Sequence, residues 1–213
     1  MSEYDALLST LALTTGVAWA SGINLYALVG ILGIAGAAGA IDIPDGISVV
    51  QDPLVIGAAC IMYVIEFFAD KIPGVDTAWD TLHSFIRVPA GALLAAGASG
   101  DVAPAWTVAA GLLGGGIAAA THAAKAGTRV VINTSPEPFS NWAASASEDA
   151  LVLGGAWLMW REPGWFLILL VAFFALLIWL LPRIIGAVRG IIKRIAYWLG
   201  MGPEPAAARP SER

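Results

Sequence analysis

The residues best suited to chemistry lie between Glu66 and Arg87, in a chain whose other segments are largely apolar. This segment holds seven ionisable side chains: Glu66, Asp70, Lys71, Asp76, Asp80, His83 and Arg87. Glu66 and Asp70 are four residues apart, which places both carboxylates on one face of a helix. The stripe from Asp76 to Arg87 advances by four, three and four residues, so its members share a face of the next helix. Ionisable groups at bilayer depth face a protein interior or an aqueous path, which makes this segment the first candidate for a functional site.

Three interpretations of this segment are open. Carboxylates with one imidazole suit a divalent cation, and Glu66, Asp70 and Asp80 are then the metal ligands. Close carboxylates with a histidine also suit a proton path, because carboxylates that share a site hinder one another's ionisation. In the third interpretation Lys71 and Arg87 pair with nearby aspartates, and the charges only hold the helices together.

The other half of the chain carries polar residues that extend the candidate path. His122, Lys125 and Arg129 form a basic stripe, and a polar loop from Asn133 to Asn141 precedes a helix with two carboxylates. We therefore predict a solute or ion path lined by Asn24, Glu66, Asp70, Lys71, Asp76, Asp80, His83, Arg87, Lys125, Arg129, Asn133, Glu137, Asn141, Glu148 and Asp149.

Composition predicts an all-α integral membrane protein. The chain has 213 residues, of which 58% are hydrophobic and 13% are charged, whereas soluble domains average about 25% charged residues. At about 20 residues for each crossing, residues 1–182 form a transmembrane domain of about six helices. A basic amphipathic interfacial helix is predicted for residues 183–200, and a disordered tail for 201–213.

Two of the predicted helices contain breaks. The first is interrupted at Gly22-Ile23-Asn24 and the fourth near Gly114-Gly115-Gly116, and either segment is also consistent with a re-entrant hairpin. Each half of the chain has such an interrupted helix, then a proline-bounded loop, then a helix with carboxylates. This pattern suggests a three-plus-three inverted repeat.

Basic residues predict the orientation. In a six-helix layout with both termini inside, the inner loops hold Lys71, Lys125, Arg129 and the C-terminal basic cluster, whereas the outer loops hold Arg161 alone. Cytoplasmic loops of membrane proteins are enriched in Lys and Arg. We therefore expect both the N-terminus and the C-terminus to be cytoplasmic.

Several blocks together resemble a family of small bacterial membrane proteins catalogued as domain of unknown function four-one-two-six. The resemblance rests on Gly22-Ile-Asn-Leu-Tyr26, Glu66-Phe-Phe-Ala-Asp-Lys-Ile-Pro73, Val75-Asp-Thr-Ala-Trp-Asp80, Thr128-Arg129, the stretch from Asn133 to Asn141, and Glu148-Asp149. It implies a polytopic protein of the bacterial inner membrane and brings no established activity.

The function these observations favour is a small transporter or channel-like protein, coupled to protons or cations. No common enzyme motif is found in the sequence, so an enzyme is the less favoured class. The alternatives are a membrane-embedded metal-dependent enzyme acting on a lipid or small substrate, and a structural or assembly protein. The expected partners are the lipid bilayer, an ion or small solute and further copies of the chain; no nucleic acid is expected, and a divalent cation is the one cofactor considered.

Overall fold

The structure, a computed structural model, describes residues 3–134 and 139–201. Within these ranges every regular element is a helix. The six α-helices are α1 (Glu3–Ala37), α2 (Pro53–Ala69), α3 (Val75–Ala98), α4 (Pro104–Ile132), α5 (Phe139–Arg161) and α6 (Pro163–Trp198), and a 3₁₀ helix, Asp45–Gln51, precedes α2. The all-α prediction is confirmed. The disordered tail predicted for residues 201–213 lies, except for Met201, outside the described residues.

The polarity of the bundle is that of a membrane protein. Large apolar side chains such as Leu54, Phe85, Leu112 and Trp106 are mostly exposed on its outside, whereas charged side chains are buried in its interior. A water-soluble protein shows the opposite distribution, because buried charges are rare there. The three helices α1, α4 and α6 are each long and apolar enough to cross a membrane, and the 3₁₀ helix with α2, bent by 66°, adds a fourth candidate.

Helix α1 lies at the centre and contacts all five other α-helices. Its predicted break is confirmed, because Asn24 has non-helical backbone angles of φ −145° and ψ 92°. The Asn24 side-chain oxygen accepts a hydrogen bond from the Ala27 amide at 3.0 Å, as a helix N-cap does. The break therefore starts a second helical segment within α1 and frees the Ile23 carbonyl for other partners.

Small residues bring α1, α3 and α4 close together. Gly91 of α3 lies against Ser21 and Ala118, and Gly114 of α4 lies against Ala95. The Ser21 hydroxyl donates to the Arg87 carbonyl at 2.9 Å. Close approach of backbones through small residues is the usual packing of helices in membranes. It lets long charged side chains from several helices meet at one point.

Two helices differ from the sequence prediction. The break predicted in the fourth helix is wrong: α4 is a single helix, and Gly114 serves close packing against α3. The basic segment 183–200 is not a separate helix, since α6 continues through Pro182 to Trp198. Its location at the membrane interface stays a prediction.

The close packing at Gly22 yields a stability prediction. A Cβ atom at this position would overlap the Thr121 hydroxyl and lie 2.5 Å from the Ala118 carbonyl oxygen. We expect Gly22→Ala to lower the free energy of unfolding by about 1–3 kcal/mol, as overpacked core sites do. Thermal unfolding of the detergent-purified protein measures the change.

Gly30→Ala is the matched control, because Gly30 lies in the same helix with no neighbouring atom within 4 Å of its added Cβ. It should be neutral or stabilising, by up to about 1 kcal/mol. Equal melting temperatures for the two variants would contradict the packing described here.

Candidate functional site

Seven charged side chains from four helices meet in the interior of the bundle. They are Glu66 at the end of α2 and Asp70 just after it, Asp80 and Arg87 of α3, Lys125 and Arg129 of α4, and Glu148 of α5. We call this set the ion-pair cluster. Its side chains are 0–4% exposed, apart from Glu148 at 16%.

Lys125 is at the centre of the ion-pair cluster. Its ammonium lies 3.1 Å from Glu66, 3.1 Å from Asp70, 3.2 Å from Glu148 and 3.6 Å from Asp80. It also donates to the Ile23 carbonyl at 3.1 Å. An ammonium has three N–H donors, and Lys125 uses them on Ile23, Glu66 and Asp70. One cation thus joins α1, α2, α3 and α5 to α4.

Arg87 joins α3 to α1 and α2. Its guanidinium makes a short ion pair with Glu66 and lies 3.2 Å from Asp80. The same group donates to the Ile23 carbonyl at 3.1 Å. The carbonyl freed by the break in α1 therefore accepts hydrogen bonds from two cations, Arg87 and Lys125, which explains why a break is tolerated at this depth.

Arg129 connects α4 to the start of α5. It binds Glu148 with two parallel hydrogen bonds, from Nε at 3.2 Å and from Nη2 at 2.8 Å. It also donates to the Asp70 carboxylate at 3.3 Å and to the Asn141 carbonyl at 3.1 Å. A bidentate pair of this kind fixes geometry as well as charge.

The ion-pair cluster carries one more carboxylate than cations. Four carboxylates face three cations. Three buried carboxylate oxygens, Glu66 Oε2, Asp70 Oδ1 and Asp80 Oδ2, have no hydrogen-bond partner among the described residues. Isolated charge and unsatisfied acceptors are costly in a low-dielectric interior. The site is therefore built to accept a positive charge or hydrogen-bond donors.

A chain of amides closes one end of the ion-pair cluster. The Asn133 amide donates to both carboxylate oxygens of Asp76, at 2.8 and 2.9 Å, and Asn141 donates to the Asn133 side-chain oxygen at 2.7 Å. Asp76 also accepts from the backbone amides of Gly74 and Thr77 at the start of α3. These three predicted path residues thus hold the ends of α3, α4 and α5 together.

Asp149 forms a second, smaller polar contact beside the ion-pair cluster. It accepts from the Asn24 amide at 3.0 Å, and the Tyr63 phenol lies beside it. Lys71 lies nearby and donates to the Phe67 carbonyl at 3.0 Å and the Ser145 hydroxyl at 3.3 Å. The pairing of Lys71 with an aspartate, expected in the structural interpretation, is absent from the described ion pairs, whereas the expected Arg87–Asp80 pair is present.

The two histidines occupy different environments. His83 stacks on Trp79, with ring centroids 4.1 Å apart, and its Nδ1 contacts the Trp79 carbonyl at 2.8 Å; it lies outside the ion-pair cluster. His122 contacts the cluster: Arg87 donates to its Nδ1 at 3.4 Å, and its Nε2 lies 3.0 Å from the Asp80 carbonyl. An imidazole that accepts at Nδ1 and donates at Nε2 is neutral.

The structure thus gathers Glu66, Asp70, Asp80, Arg87, Lys125, Arg129 and Glu148, and places the other described path residues around them. Glu137 lies outside the described residues. The predicted metal ligands Glu66, Asp70 and Asp80 do not form a metal site. Within the described ranges no three His, Cys, Asp or Glu side chains are placed to hold a metal ion. Cations of the protein itself lie against Glu66, Asp70 and Asp80 instead.

Three groups at the site are absent from the predicted path: His122, Tyr63 and the Ile23 carbonyl. The sequence could have indicated that His122 faces the site, because it precedes Lys125 by three residues on the same basic stripe. The role of Ile23 could be inferred only from the break that follows it. Tyr63 had no signal beyond its position three residues before Glu66.

The fold and the site define an all-helical membrane protein with a buried ion-pair cluster. The chain belongs to the family described as Domain of unknown function (DUF4126), whose model matches residues 11–183. The match includes every described residue of the ion-pair cluster. No curated protein and no solved structure matches the chain.

The interlocked ion pairs predict strong coupling between Glu66 and Arg87. Arg87→Met removes the cation shared by Glu66 and Asp80 and should lower the free energy of unfolding by about 3–5 kcal/mol. Glu66→Gln weakens the contacts of Arg87 and Lys125 but also removes the excess carboxylate, so it should cost less than Arg87→Met. The double variant should lose less than the sum of the two, by at least about 1 kcal/mol. Denaturant unfolding in detergent measures the cycle.

Asp101→Asn is the control, since Asp101 is an exposed carboxylate in the turn before α4. It should change stability by no more than about 0.5 kcal/mol. Strictly additive losses in the Glu66–Arg87 cycle would show that the two side chains do not interact in the folded protein.

Proposed function

We propose that this protein is a small membrane transporter or channel-like protein in which the ion-pair cluster binds the coupling ion, a proton. The observation that supports this most directly is the charge imbalance: four carboxylates against three cations, with three carboxylate oxygens unpaired among the described residues. One bound proton neutralises the excess. A metal ion is less suitable, because the cluster's own cations already lie against the candidate ligands.

Asp80 is the best candidate for the proton-binding carboxylate. Its Oδ1 accepts one hydrogen bond from a cation, from Arg87 at 3.2 Å, and its Oδ2 accepts none from the described residues. Glu66, Asp70 and Glu148 each accept two. Hydrogen bonds from cations stabilise the charged form of a carboxylate. The carboxylate with the fewest such bonds gains most from binding a proton.

The broken helix α1 is the element that would respond to the proton. Protonation of Asp80 weakens its pairing with Arg87 and Lys125, and both of these cations also hold the Ile23 carbonyl. A shift in either cation changes the constraint on the second half of α1. Broken helices whose free carbonyls coordinate the coupling ion are a recurring feature of transporters, and here the free carbonyl is held by two side-chain cations instead.

The membrane arrangement that we propose has six crossings. Helices α3 and α5 have 24 and 23 residues, about 35 Å each at 1.5 Å per residue, enough for the roughly 30 Å hydrocarbon core. Their charges are tolerated because they face the bundle interior. The proposal retains cytoplasmic termini, a bacterial inner membrane and a homo-oligomer, together with a three-plus-three inverted repeat that is supported only by the proline-bounded loop and the carboxylate helix of each half. Lys125 and Arg129 are buried within α4 and do not lie in an inner loop as the sequence predicted. The orientation is therefore supported by Lys71 and the basic end of α6.

A structural or assembly role is the second candidate. The observation that favours it is the pairing of two of the three cations: Lys125 uses all its donors inside the protein, and Arg129 bridges α4, α5 and the residue after α2. Such a network can fix one arrangement of helices. A metal-dependent enzyme has no comparable support among the described residues.

Flux measurement separates the two candidates. In proteoliposomes with an entrapped pH indicator, the wild-type protein should dissipate an imposed proton gradient, directly or with a co-transported solute from a broad panel. Asp80→Asn cannot exchange a proton at this position, so we expect it to reduce flux at least about a hundredfold, the lower end of the effect of one positioned proton-transfer group.

Asp101→Asn, at an exposed carboxylate, serves as the control and should transport like the wild type. Melting temperatures of all three proteins show whether each is folded. Wild-type protein that is folded but moves no proton or solute would overturn the transport proposal and favour the structural role. Full flux through folded Asp80→Asn would overturn the assignment of Asp80.

A further inference from the structure

A second charged feature lies at the C-terminal end of α6, outside the ion-pair cluster. The first twenty residues of α6, from Pro163 to Pro182, contain no ionisable side chain. At 1.5 Å per residue they cover about 30 Å, the thickness of the hydrocarbon core of a bilayer. The helix continues to Trp198, so its last turns extend beyond that core.

Every charge on this extension is positive, and the charges share one side of the helix. At about 100° per residue they fall within an arc of about 140°, and all of them are exposed. The helix has no Asp or Glu. None of these side chains is in an ion pair among the described residues, whereas all three cations of the ion-pair cluster are. We call them the cationic face of α6: Arg183, Arg189, Lys193 and Arg194.

The cationic face continues the side of α6 that points away from the bundle. On the apolar part of the helix this side carries Val171 and Ile178, which are 70% and 71% exposed. Arg189 follows Val171 by about five full turns and Ile178 by about three. Ile184 lies nearly opposite and packs against Gly127 of α4. The side that meets acyl chains within the core is therefore the side that carries cations beyond it.

Arg183 is oriented by Trp179, one turn before it. The Arg183 guanidinium lies 3.8 Å from the centre of the Trp179 ring, and its Nη1 donates to the Trp179 carbonyl at 2.8 Å. Tryptophan is enriched at membrane–water interfaces, which is where the uncharged part of α6 ends. A guanidinium has five N–H donors, and the described residues accept one of them. The rest form a fork of donors at the level of the lipid head groups.

We propose that the cationic face of α6 binds the phosphates of anionic membrane lipids, with Arg183 and Arg189 at the head groups of the lipids that contact α6. Unpaired cations without a neighbouring carboxylate favour an anionic ligand, and their position on the lipid-facing side favours a ligand from the bilayer. Arginine can bind a phosphate through two parallel hydrogen bonds. This binding does not depend on whether the protein transports a proton.

Native mass spectrometry of the full chain in detergent tests this proposal. Dioleoyl-phosphatidylglycerol and dioleoyl-phosphatidylcholine are titrated separately; both carry a phosphate and the same chains, and only the first has a net negative charge. We expect the first to bind about 25-fold more tightly, which is about fivefold for each of the two arginines, or about 1 kcal/mol each. The double variant Arg183→Gln/Arg189→Gln should bind the two lipids equally.

Arg161→Gln is the matched control for the single variant Arg189→Gln. Arg161 is an exposed arginine at the end of α5, next to the start of α6, so both variants lose one exposed positive charge. Arg189→Gln should weaken binding of the glycerol lipid about fivefold, and Arg161→Gln should leave it unchanged. Melting temperatures show whether each variant is folded. Equal losses in the two variants would mean that net charge, and not the cationic face, attracts the lipid.

Two soluble competitors distinguish the bilayer from other sources of anions. Neither glycerol phosphate nor polyglutamate should displace the lipid at equal concentration, because neither has acyl chains that lie along α6. Displacement by glycerol phosphate would point to a soluble phosphate ligand, and displacement by polyglutamate to an acidic protein; either would overturn the proposal. Equal affinity of the wild-type protein for the two lipids would also overturn it, as would a preference that persists in the folded double variant.

Discussion

Burial of charge inside the helix bundle is the constraint on which this structure depends. Arg87 and Arg129 are fully buried, and Lys125 nearly so, at a depth where a single unpaired charge costs several kcal/mol. Each of the three is compensated by carboxylates from other helices. The helices are consequently fixed relative to one another by electrostatics, whereas the apolar effect acts weakly between helices that are surrounded by lipid. The small residues at the contacts of α1, α3 and α4 allow this arrangement.

The break in α1 at Asn24 depends on the same buried charges. A free carbonyl in a hydrocarbon environment needs donors, and Ile23 receives them from Arg87 and Lys125. Each of the two cations donates one hydrogen bond to this carbonyl in addition to its contacts with carboxylates. The unwound turn and the buried cations therefore satisfy each other. This reciprocity links the shape of α1 to the protonation state of the ion-pair cluster, which is the basis for the proposed coupling.

Helical spacing predicted part of the site and missed part of it for a geometric reason. Asp80 and Arg87 are seven residues apart, so they differ by only about 20° around the helix, and both reach the ion-pair cluster. His83 is turned by about 60° from Asp80, which is enough to direct it to Trp79 instead. Asp76 shares the stripe but lies in the first turn of α3, where backbone amides and Asn133 satisfy it. The partners of each charge depend on tertiary packing, which spacing along one helix does not specify.

The fourth helix shows the same limit of sequence-based prediction. Its glycines suggested a break, whereas in the structure Gly114 serves close packing.

The ion-pair cluster holds one carboxylate more than it has cations, and we propose that it binds a proton in compensation. Infrared spectroscopy of the full chain in lipid at neutral pH tests it directly, because a protonated carboxylic acid has a carbonyl stretching band distinct from that of a carboxylate. We expect one such band, slow to respond to exchange into D₂O because the site is buried, and absent from the Asp80→Asn variant. Absence of the band from the wild-type protein, or a band that persists unchanged in Asp80→Asn, would contradict it.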